Sequence, residues 1–397
     1  MSSIFWVQVR EGREGFTVSA RIDGRSAEAN LGVLSDQIAA RLEPLQREII
    51  LTSRAVTDPV SPADPANDSG ASDDNAPVAE PDRSRADVRI IREIGRLLFD
   101  ALFQQNVFAL YDETYKAALN DRKELIVRLH VDSSILAKKN LPWETLFTGD
   151  LHLCCSKNTP FSRTIALQED SRTIATQAPL RILVVVASPK GTRLAPLDAV
   201  REQNALRGCL EKLERENKLK LGLTTAGTLT EIRQKIEDGD AGAPWDVLHF
   251  IGHGMAGKVA LEAESGRGAE WIDAEQLRGE LDAPLGPQLV IMNSCQGATS
   301  GPEDRFSSTA DMLVRGGRIL AAIAMQFVVS DKLSIHFSPI FYDELLVKKR
   351  SLQGAMTRTR LELRRRGFAE WITPVLYMRS RDVSILRPDA PAAAASG

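Results

Sequence analysis

Short apolar segments alternate with longer segments of helical period from residue 179 onward. Residues 181–187 (RILVVVA) form an unbroken run rich in β-branched residues, which is typical of a strand buried on both faces. Repeated alternation of this kind favours a parallel sheet with helices on both faces. The predicted strands are residues 181–187, 219–225, 245–251, 288–293, 318–325 and 374–378, and the predicted helices are residues 200–217, 229–237, 274–281, 307–315, 335–346 and 352–366.

The chain before residue 179 has a different pattern, which predicts a smaller α+β region ahead of the α/β domain. Residues 4–9 and 16–22 alternate like the two strands of a hairpin. Helical spacing of apolar residues predicts helices over residues 34–45 and 88–103, and residues 124–131 (ELIVRLHV) form a predicted strand.

An acidic, proline-rich segment separates these parts of the chain. Residues 57–82 carry five prolines and seven acidic residues but no basic or aromatic residue, so they bury too little apolar surface to offset the entropy of ordering. We therefore expect a disordered linker or surface loop here, and a second loose segment at the C-terminus. The expected divisions are residues 1–56, an N-terminal α+β segment; 57–86, the linker; 87–178, a first subdomain; 179–387, the α/β domain; and 388–397, a disordered tail.

Composition and charge exclude several classes of protein. The 397 residues have a net charge of −3, so no overall field attracts nucleic acid or an anionic membrane. The longest apolar run, residues 319–325, is far shorter than the roughly 20 residues that span a bilayer. The N-terminus has no secretory apolar stretch, and four cysteines do not suggest a disulfide framework. We expect a cytoplasmic protein with reduced thiols and no membrane partner.

Two predicted strands end in residues that can carry chemistry. The strand ending at Ile251 is followed by His253 between two glycines, and the strand over residues 288–293 leads to Cys295. Ligands bind at the carboxyl ends of parallel strands, so we expect the thiol and the imidazole to share one edge of the sheet. A thiol beside an imidazole is what nucleophilic acyl transfer requires. The two glycines are expected to let the backbone turn sharply after the strand.

These residues and their surroundings resemble the CHAT domain, a family of caspase-like cysteine peptidases of clan CD. A cysteine in Cys-Gln-Gly with a histidine upstream matches a caspase-type local pattern. Other segments with the family's motifs follow in the family's order, and the resemblance covers about residues 88–386. The matching segments are residues 249–254 (HFIGHG), 292–295 (MNSC), 141–146 (LPWETL), 322–331, 341–342 (FY) and 370–377 (EWITPVLY).

The resemblance implies a caspase-haemoglobinase-like fold, a mainly parallel sheet with helices on both faces, and hydrolysis of peptide bonds. By position, His253 is the catalytic histidine and Cys295 the nucleophile, while the backbone N–H groups of Gly254 and Cys295 form the oxyanion hole. Residues 322–331 would line the substrate cleft, with Gln326 and Phe327 as contacts. Phe327 stands where the family often has tryptophan. The chemistry requires no cofactor and no metal.

The sequence says little about which substrate residue is preferred immediately before the scissile bond. Related members of the clan often prefer a basic residue at this position, so we favour Arg or Lys there. An acidic pocket in the enzyme would bind such a side chain. The candidate acids near the sheet edge, none of which the sequence places, are Asp246, Glu262, Asp273 and Asp304.

The leading hypothesis is a regulated cysteine endopeptidase that acts on protein substrates. The resemblance implies a role in prokaryotic signalling, cell death or defence, including antiviral defence, downstream of an activating protein or protease, with the acidic linker as a candidate site of cleavage or gating. The alternative is a non-catalytic adaptor that uses the same fold for protein interaction. The net charge argues against a nucleic-acid partner. The one feature that favours such a partner is the basic run at residues 348–366, for which a solvated helix face is the simpler interpretation. His249 is predicted to be a hydrogen-bonded core histidine.

Overall fold

One mixed sheet organises the protein, in a computed structural model that describes residues 3–12, 15–32, 83–132, 141–165, 179–194, 197–255, 257–295, 307–315, 317–327 and 329–379. Thirteen strands of these residues belong to this sheet. In chain order they are β1 (Ser3–Gly12), β2 (Gly15–Ile22), β3 (Arg25–Gly32), β4 (Leu125–Asp132), β5 (Phe161–Thr164), β6 (Leu180–Val186), β7 (Leu219–Leu223), β8 (Val247–Met255), β9 (Lys258–Glu262), β10 (Ala269–Asp273), β11 (Leu289–Cys295), β12 (Ala321–Met325) and β13 (Pro374–Met378).

The centre of the sheet is parallel, as the alternation of strands and helices predicts. Strands lie in the order β7-β6-β8-β11-β12, with parallel pairing throughout, and β13 closes this part by antiparallel pairing with β12. Beyond β13 the sheet continues through β5, β4 and β1 by parallel pairing and ends in the antiparallel strands β2 and β3. The N-terminal strands therefore extend the same sheet rather than forming a separate one.

Helices cover both faces of the sheet. Residues of β6 alternate between two apolar cores, with Ile182 and Val184 in one and Leu183 and Val185 in the other, so this strand is buried on both sides as predicted. The first core includes residues of α3, α7 and α8, and the second includes residues of α4, α5 and α6. The helices, in chain order, are α1 (Arg83–Leu102), α2 (Gln105–Asn120), α3 (Ala199–Arg215), α4 (Leu229–Asp238), α5 (Ala274–Leu281), α6 (Ser307–Val314), α7 (Asp331–Tyr342) and α8 (Leu352–Arg365).

Several elements depart from the sequence-based predictions. The helix α2 and the strands β3, β5, β9 and β10 have no counterpart among them, and β8 extends to Met255 rather than ending at Ile251. The predicted helix over residues 34–45, residues 57–82 of the predicted linker and the C-terminal tail lie outside the described residues. Residues 83–86, which were predicted to end the linker, belong to α1 instead. Of the helices that the structure describes, none is long and apolar enough to cross a membrane.

Candidate active site

Strands β8 and β11 bring the predicted dyad to one edge of the sheet. They are neighbouring parallel strands, and the Cα atoms of His253 and Cys295 are partners in their register, as are those of Gly252 and Ser294. Adjacent strands lie about 4.8 Å apart, and residues at the same height in a parallel pair share a face of the sheet. Both residues lie at the carboxyl ends of their strands, and the His253 residue is only 3% exposed.

The backbone around His253 differs from the sharp turn expected from its flanking glycines. Strand β8 runs on through Gly254 to Met255, and its last three residues pair antiparallel with β9. The turn comes later, at Gly257, whose φ of 70° suits a residue without a side chain. At Gly252 a Cβ atom would lie 2.6 Å from the Phe250 ring, so the requirement there is close packing rather than a turn.

A buried polar cluster lies beneath the carboxyl end of β11. Asn293, two residues before Cys295, donates through its side-chain amide to a carboxylate oxygen of Glu202 in α3 and to the carbonyl oxygen of Ser334 in α7, the latter at 3.2 Å. Burial raises the pKa of Glu202 to about 8, although the hydrogen bond from Asn293 opposes the shift. Charges on Asp331 and Asp198 add to the increase. The cluster connects β11 to two helices just below the position of Cys295.

His249 belongs to the same buried layer and not to the sheet edge that carries His253 and Cys295. Its Nδ1 lies 3.1 Å from the Tyr342 hydroxyl, and its Nε2 lies 3.5 Å from the Ser338 hydroxyl. Burial alone lowers its pKa to about 3, so the ring is neutral at physiological pH. The prediction of a hydrogen-bonded core histidine is confirmed.

Two exposed carboxylates flank the His253 edge. Asp331 begins α7 after β12, and Asp198 caps the N-terminus of α3 after β6. Partial burial and the charge of Asp198 raise the pKa of Asp331, while His253 lowers it, which means that the imidazole and both carboxylates are in electrostatic range. Sequence reasoning missed Asp198 as a site residue, because only the fold brings the loops after β6 and β12 together across β8 and β11.

The residues predicted to contact substrate lie in different places. Gln326 is fully buried, and its side chain is held by Glu144, Arg163 and the Ile372 carbonyl, at 2.9, 3.0 and 2.8 Å. The prediction that Gln326 contacts substrate is therefore wrong for this structure: its amide completes a buried ion-pair cluster. Phe327 is 4% exposed and packs in the first core.

The candidate acids are also scattered. Asp273 caps α5 by accepting a hydrogen bond from the Gln276 N–H, on the hairpin that extends from β8. Asp246 precedes β8 at the amino end of the sheet, where it accepts from the Arg181 N–H at 2.7 Å, so it is at the wrong edge for a substrate pocket. Glu262 accepts from the Ser188 N–H, and Asp304 lies outside the described residues. Among the residues that the structure describes, no group of three His, Cys, Asp or Glu side chains is placed to hold a metal ion.

A family model matches the chain, and so do several solved structures. The model of the CHAT domain matches residues 92–370, which is more than half of the chain. No curated protein sequence matches it. The fold is similar to the Saccharomyces cerevisiae separase in its complex with securin, at a TM-score of 0.52 and 11% identity, over 96% of this chain and 30% of that one.

The second solved structure is the Arg-specific cysteine proteinase gingipain R, at a TM-score of 0.42 and 11% identity, over 71% of this chain and 68% of that one. This chain spans less than a third of the separase chain, and such low identities bear on the fold alone. The predicted fold class, a mostly parallel caspase-like sheet flanked by helices and preceded by an N-terminal strand region, is confirmed.

Proposed function

Because the chain belongs to the CHAT domain family and has a caspase-like fold, we propose that it is a cysteine endopeptidase that hydrolyses peptide bonds in protein substrates. The observation that carries this proposal is the register of β8 and β11, in which His253 and Cys295 are partners at the carboxyl ends of neighbouring parallel strands. A nucleophile and a base at adjacent strand ends are the minimal equipment for acyl transfer.

The proposed reaction proceeds through an acyl-enzyme. The Cys295 thiolate attacks the scissile carbonyl carbon, and His253, having taken the thiol proton, gives it to the leaving amine. Backbone N–H groups of Gly254 and Cys295 stabilise the tetrahedral oxyanion, an effect of about 3 kcal/mol per donor. Water then attacks the thioester with His253 as the base, which releases the acid product and restores the thiol.

We assign the residue before the scissile bond as Arg or Lys. Asp331 is an exposed carboxylate that interacts electrostatically with both His253 and the exposed Asp198. The two carboxylates come from loops on opposite sides of strands β8 and β11. Partial burial raises the pKa of Asp331, and the charge of Asp198 adds to that increase. A cation between the two carboxylates would offset both effects. A guanidinium or ammonium group from the substrate satisfies that requirement.

Regulation by a second protein is part of the proposal. The predicted acidic linker, residues 57–86, is the segment that we expect an activating protein or protease to cut or displace, in prokaryotic signalling, cell death or defence. We place this activity in the cytoplasm, where the thiol stays reduced.

The alternative is a non-catalytic adaptor with the same fold, and covalent labelling separates the two. A peptidyl electrophile with Arg next to its reactive group should label the wild-type protein once, which intact-mass spectrometry detects as the added mass of one reagent. The matched control is Cys209→Ala, because Cys209 is another free and incompletely buried cysteine, in α3. Labelling should persist in Cys209→Ala and be absent in Cys295→Ala; equal labelling of wild type and Cys295→Ala would contradict the proposal.

A further inference from the structure

A surface groove lies between α1 and the end of α8 with the segment that follows it. None of its lining residues is near His253 or Cys295 in the sequence. Its volume is about 520 Å³, and we call it the arginine groove. Apolar side chains form most of its lining and three guanidinium groups surround them; the principal lining residues are Val88, Arg89, Arg92, Arg364, Phe368 and Trp371. The volume is within the range of sites for small molecules.

Within the described ranges of the chain, no carboxylate lies within ion-pair distance of the three groove arginines. None of Arg89, Arg92 and Arg364 forms an ion pair within the part of the chain that the structure describes. Arg92 and Arg364 instead lie over aromatic rings, 5.9 Å from the centroid of Phe147 and 5.8 Å from that of Trp371. Charges that are held at ring faces and not neutralised by an acid attract an anion.

Neighbouring arginines show that this arrangement is specific to the groove. Arg96, one helical turn beyond Arg92, is bonded to Asp100 and to the Thr148 carbonyl, each at 2.8 Å. Arg366, two residues beyond Arg364, is paired with Glu362 at 3.0 Å. Arg96 and Arg366 are thus neutralised by nearby acids, whereas the described chain places no acid within ion-pair distance of the three groove arginines.

The pKa of buried His152, behind the groove, is affected by the positive charge of the groove arginines. Its ring contacts the Trp371 ring, with centroids 4.9 Å apart, and its Nδ1 lies 2.7 Å from the Thr145 carbonyl oxygen. Burial lowers the pKa of His152 to about 4, and the positive charges of Arg364 and Arg92 contribute to the decrease. The imidazole is therefore neutral at physiological pH and does not compete for an anion.

We propose that the arginine groove binds a small phosphate-bearing ligand with a flat ring, the chemistry of a nucleotide. Guanidinium groups match phosphate oxygens in bidentate geometry, which explains three unpaired arginines in one place. The apolar side chains of Val88, Phe368 and Trp371 can pack against a flat ring. Inorganic phosphate alone would make no use of this apolar surface.

The groove's wall is bonded to the loop that carries Asp331. Glu370 lies between the lining residues Phe368 and Trp371, and its carboxylate accepts hydrogen bonds from the N–H and the hydroxyl of Ser330, at 2.7 and 3.2 Å. Ser330 in turn caps α7 immediately before Asp331. A ligand in the groove therefore touches the segment that anchors one side of the proposed substrate pocket.

Direct binding tests the proposal without any use of protease activity. Isothermal titration of the full chain with ATP, AMP, adenosine and inorganic phosphate should give saturable binding of the nucleotides, and weaker or no binding of adenosine and phosphate. Arg92→Ala and Arg364→Ala should each weaken nucleotide binding about tenfold or more, since hydrogen bonds to charged groups are the strong ones. Higher salt should weaken it further.

Matched controls are Arg96→Ala and Arg366→Ala. Arg96 lies on α1 and Arg366 directly follows α8, and both are paired with acids; both variants should bind as wild type. Replacing Arg364 could weaken binding indirectly, by disturbing the Trp371 ring that it lies over. Arg89→Ala removes an exposed groove arginine, so weaker binding in this variant would reflect the lost charge itself. Wild-type affinity in all three groove variants, or no saturable nucleotide binding, would overturn the proposal. Binding of a synthetic peptide of residues 57–82 but of no phosphate compound would also overturn it, in favour of a peptide-docking groove.

Discussion

The side-chain amide of Asn293 donates a hydrogen bond to the Glu202 carboxyl group in the layer beneath the strand of Cys295. Glu202 is 8% exposed, and no cation is bonded to it in the described chain. A buried acid of this kind keeps its proton well above its ordinary pKa, so it acts as a neutral hydrogen-bonding group at physiological pH. Strand β11, which ends at Cys295, is therefore connected through Asn293 to an acid whose pKa is raised by burial.

Glu202 should make the stability of the protein depend on pH. The folded protein holds this proton to about pH 8, whereas an unfolded chain releases it near the ordinary value of 4.5. Because the folded state binds more protons between those values, the free energy of unfolding should fall as the pH rises from about 4.5 to about 8. Chemical denaturation across this range measures the trend.

Substitution isolates the contribution of Glu202. Glu202→Gln keeps a neutral hydrogen-bonding side chain, so its stability should change less with pH than that of the wild type. The control is Glu211→Gln on the same helix, because Glu211 is largely exposed and should leave the pH trend intact. Identical pH trends for wild type and Glu202→Gln would rule out this explanation.

Asp331 should set the preference for a basic residue before the cut. Asp331→Asn is expected to lower kcat/KM for peptides with Arg at that position by about tenfold or more, because a charge-assisted contact is lost. Peptides with leucine there should lose much less. The measurement is a positional-scanning peptide library read with wild type and variant.

Asp343→Asn is the matched control, since Asp343 follows the other end of α7 and pairs with Lys348. It should retain the wild-type preference. A wild-type enzyme that prefers Asp at this position, or a preference for Arg that is unchanged in Asp331→Asn, would refute the assignment.

The buried ion pair of Glu144 and Arg163 should be a major source of stability. Glu144→Ala leaves the guanidinium of Arg163 buried without its partner and removes a hydrogen-bond acceptor of Gln326. Breaking a buried pair in this way costs about 3–5 kcal/mol. Glu362→Ala, which breaks the exposed pair with Arg366, should cost at most about 1 kcal/mol. Denaturant unfolding measures the loss in free energy of unfolding for each variant. Equally small losses in both would contradict a major stabilising role for the Glu144–Arg163 pair.

The sequence was sufficient to predict most of the parallel sheet. Strand β6 was predictable because an unbroken β-branched run has few alternatives to a strand buried on both faces. The edge on which His253 and Cys295 lie was predictable for a similar reason, since both residues follow apolar strands and parallel strands end on one side.

The missed features depend on long-range partners. Strand β5 (Phe161–Thr164) reads as polar and short, and Arg163 is stabilised there only because Glu144 and Gln326 arrive from distant parts of the chain. Gln326 was assigned to a cleft by its position in a motif, and its buried amide partners could not be foreseen from the sequence. Asp198 approaches Asp331 only after α3 and α7 pack together, so no local pattern identifies that pair.

The account's central claim is that Cys295 and His253 together cut peptide bonds, and cleavage-site mapping tests it most directly. Wild-type protein, Cys295→Ala, His253→Ala and the control Cys209→Ala would each be incubated with a proteome and with the proposed activators, and new N-termini would be identified by mass spectrometry. Wild type and Cys209→Ala should produce one set of cuts that follow Arg or Lys, and neither dyad variant should produce it. The same cuts from purified, folded Cys295→Ala would contradict the account.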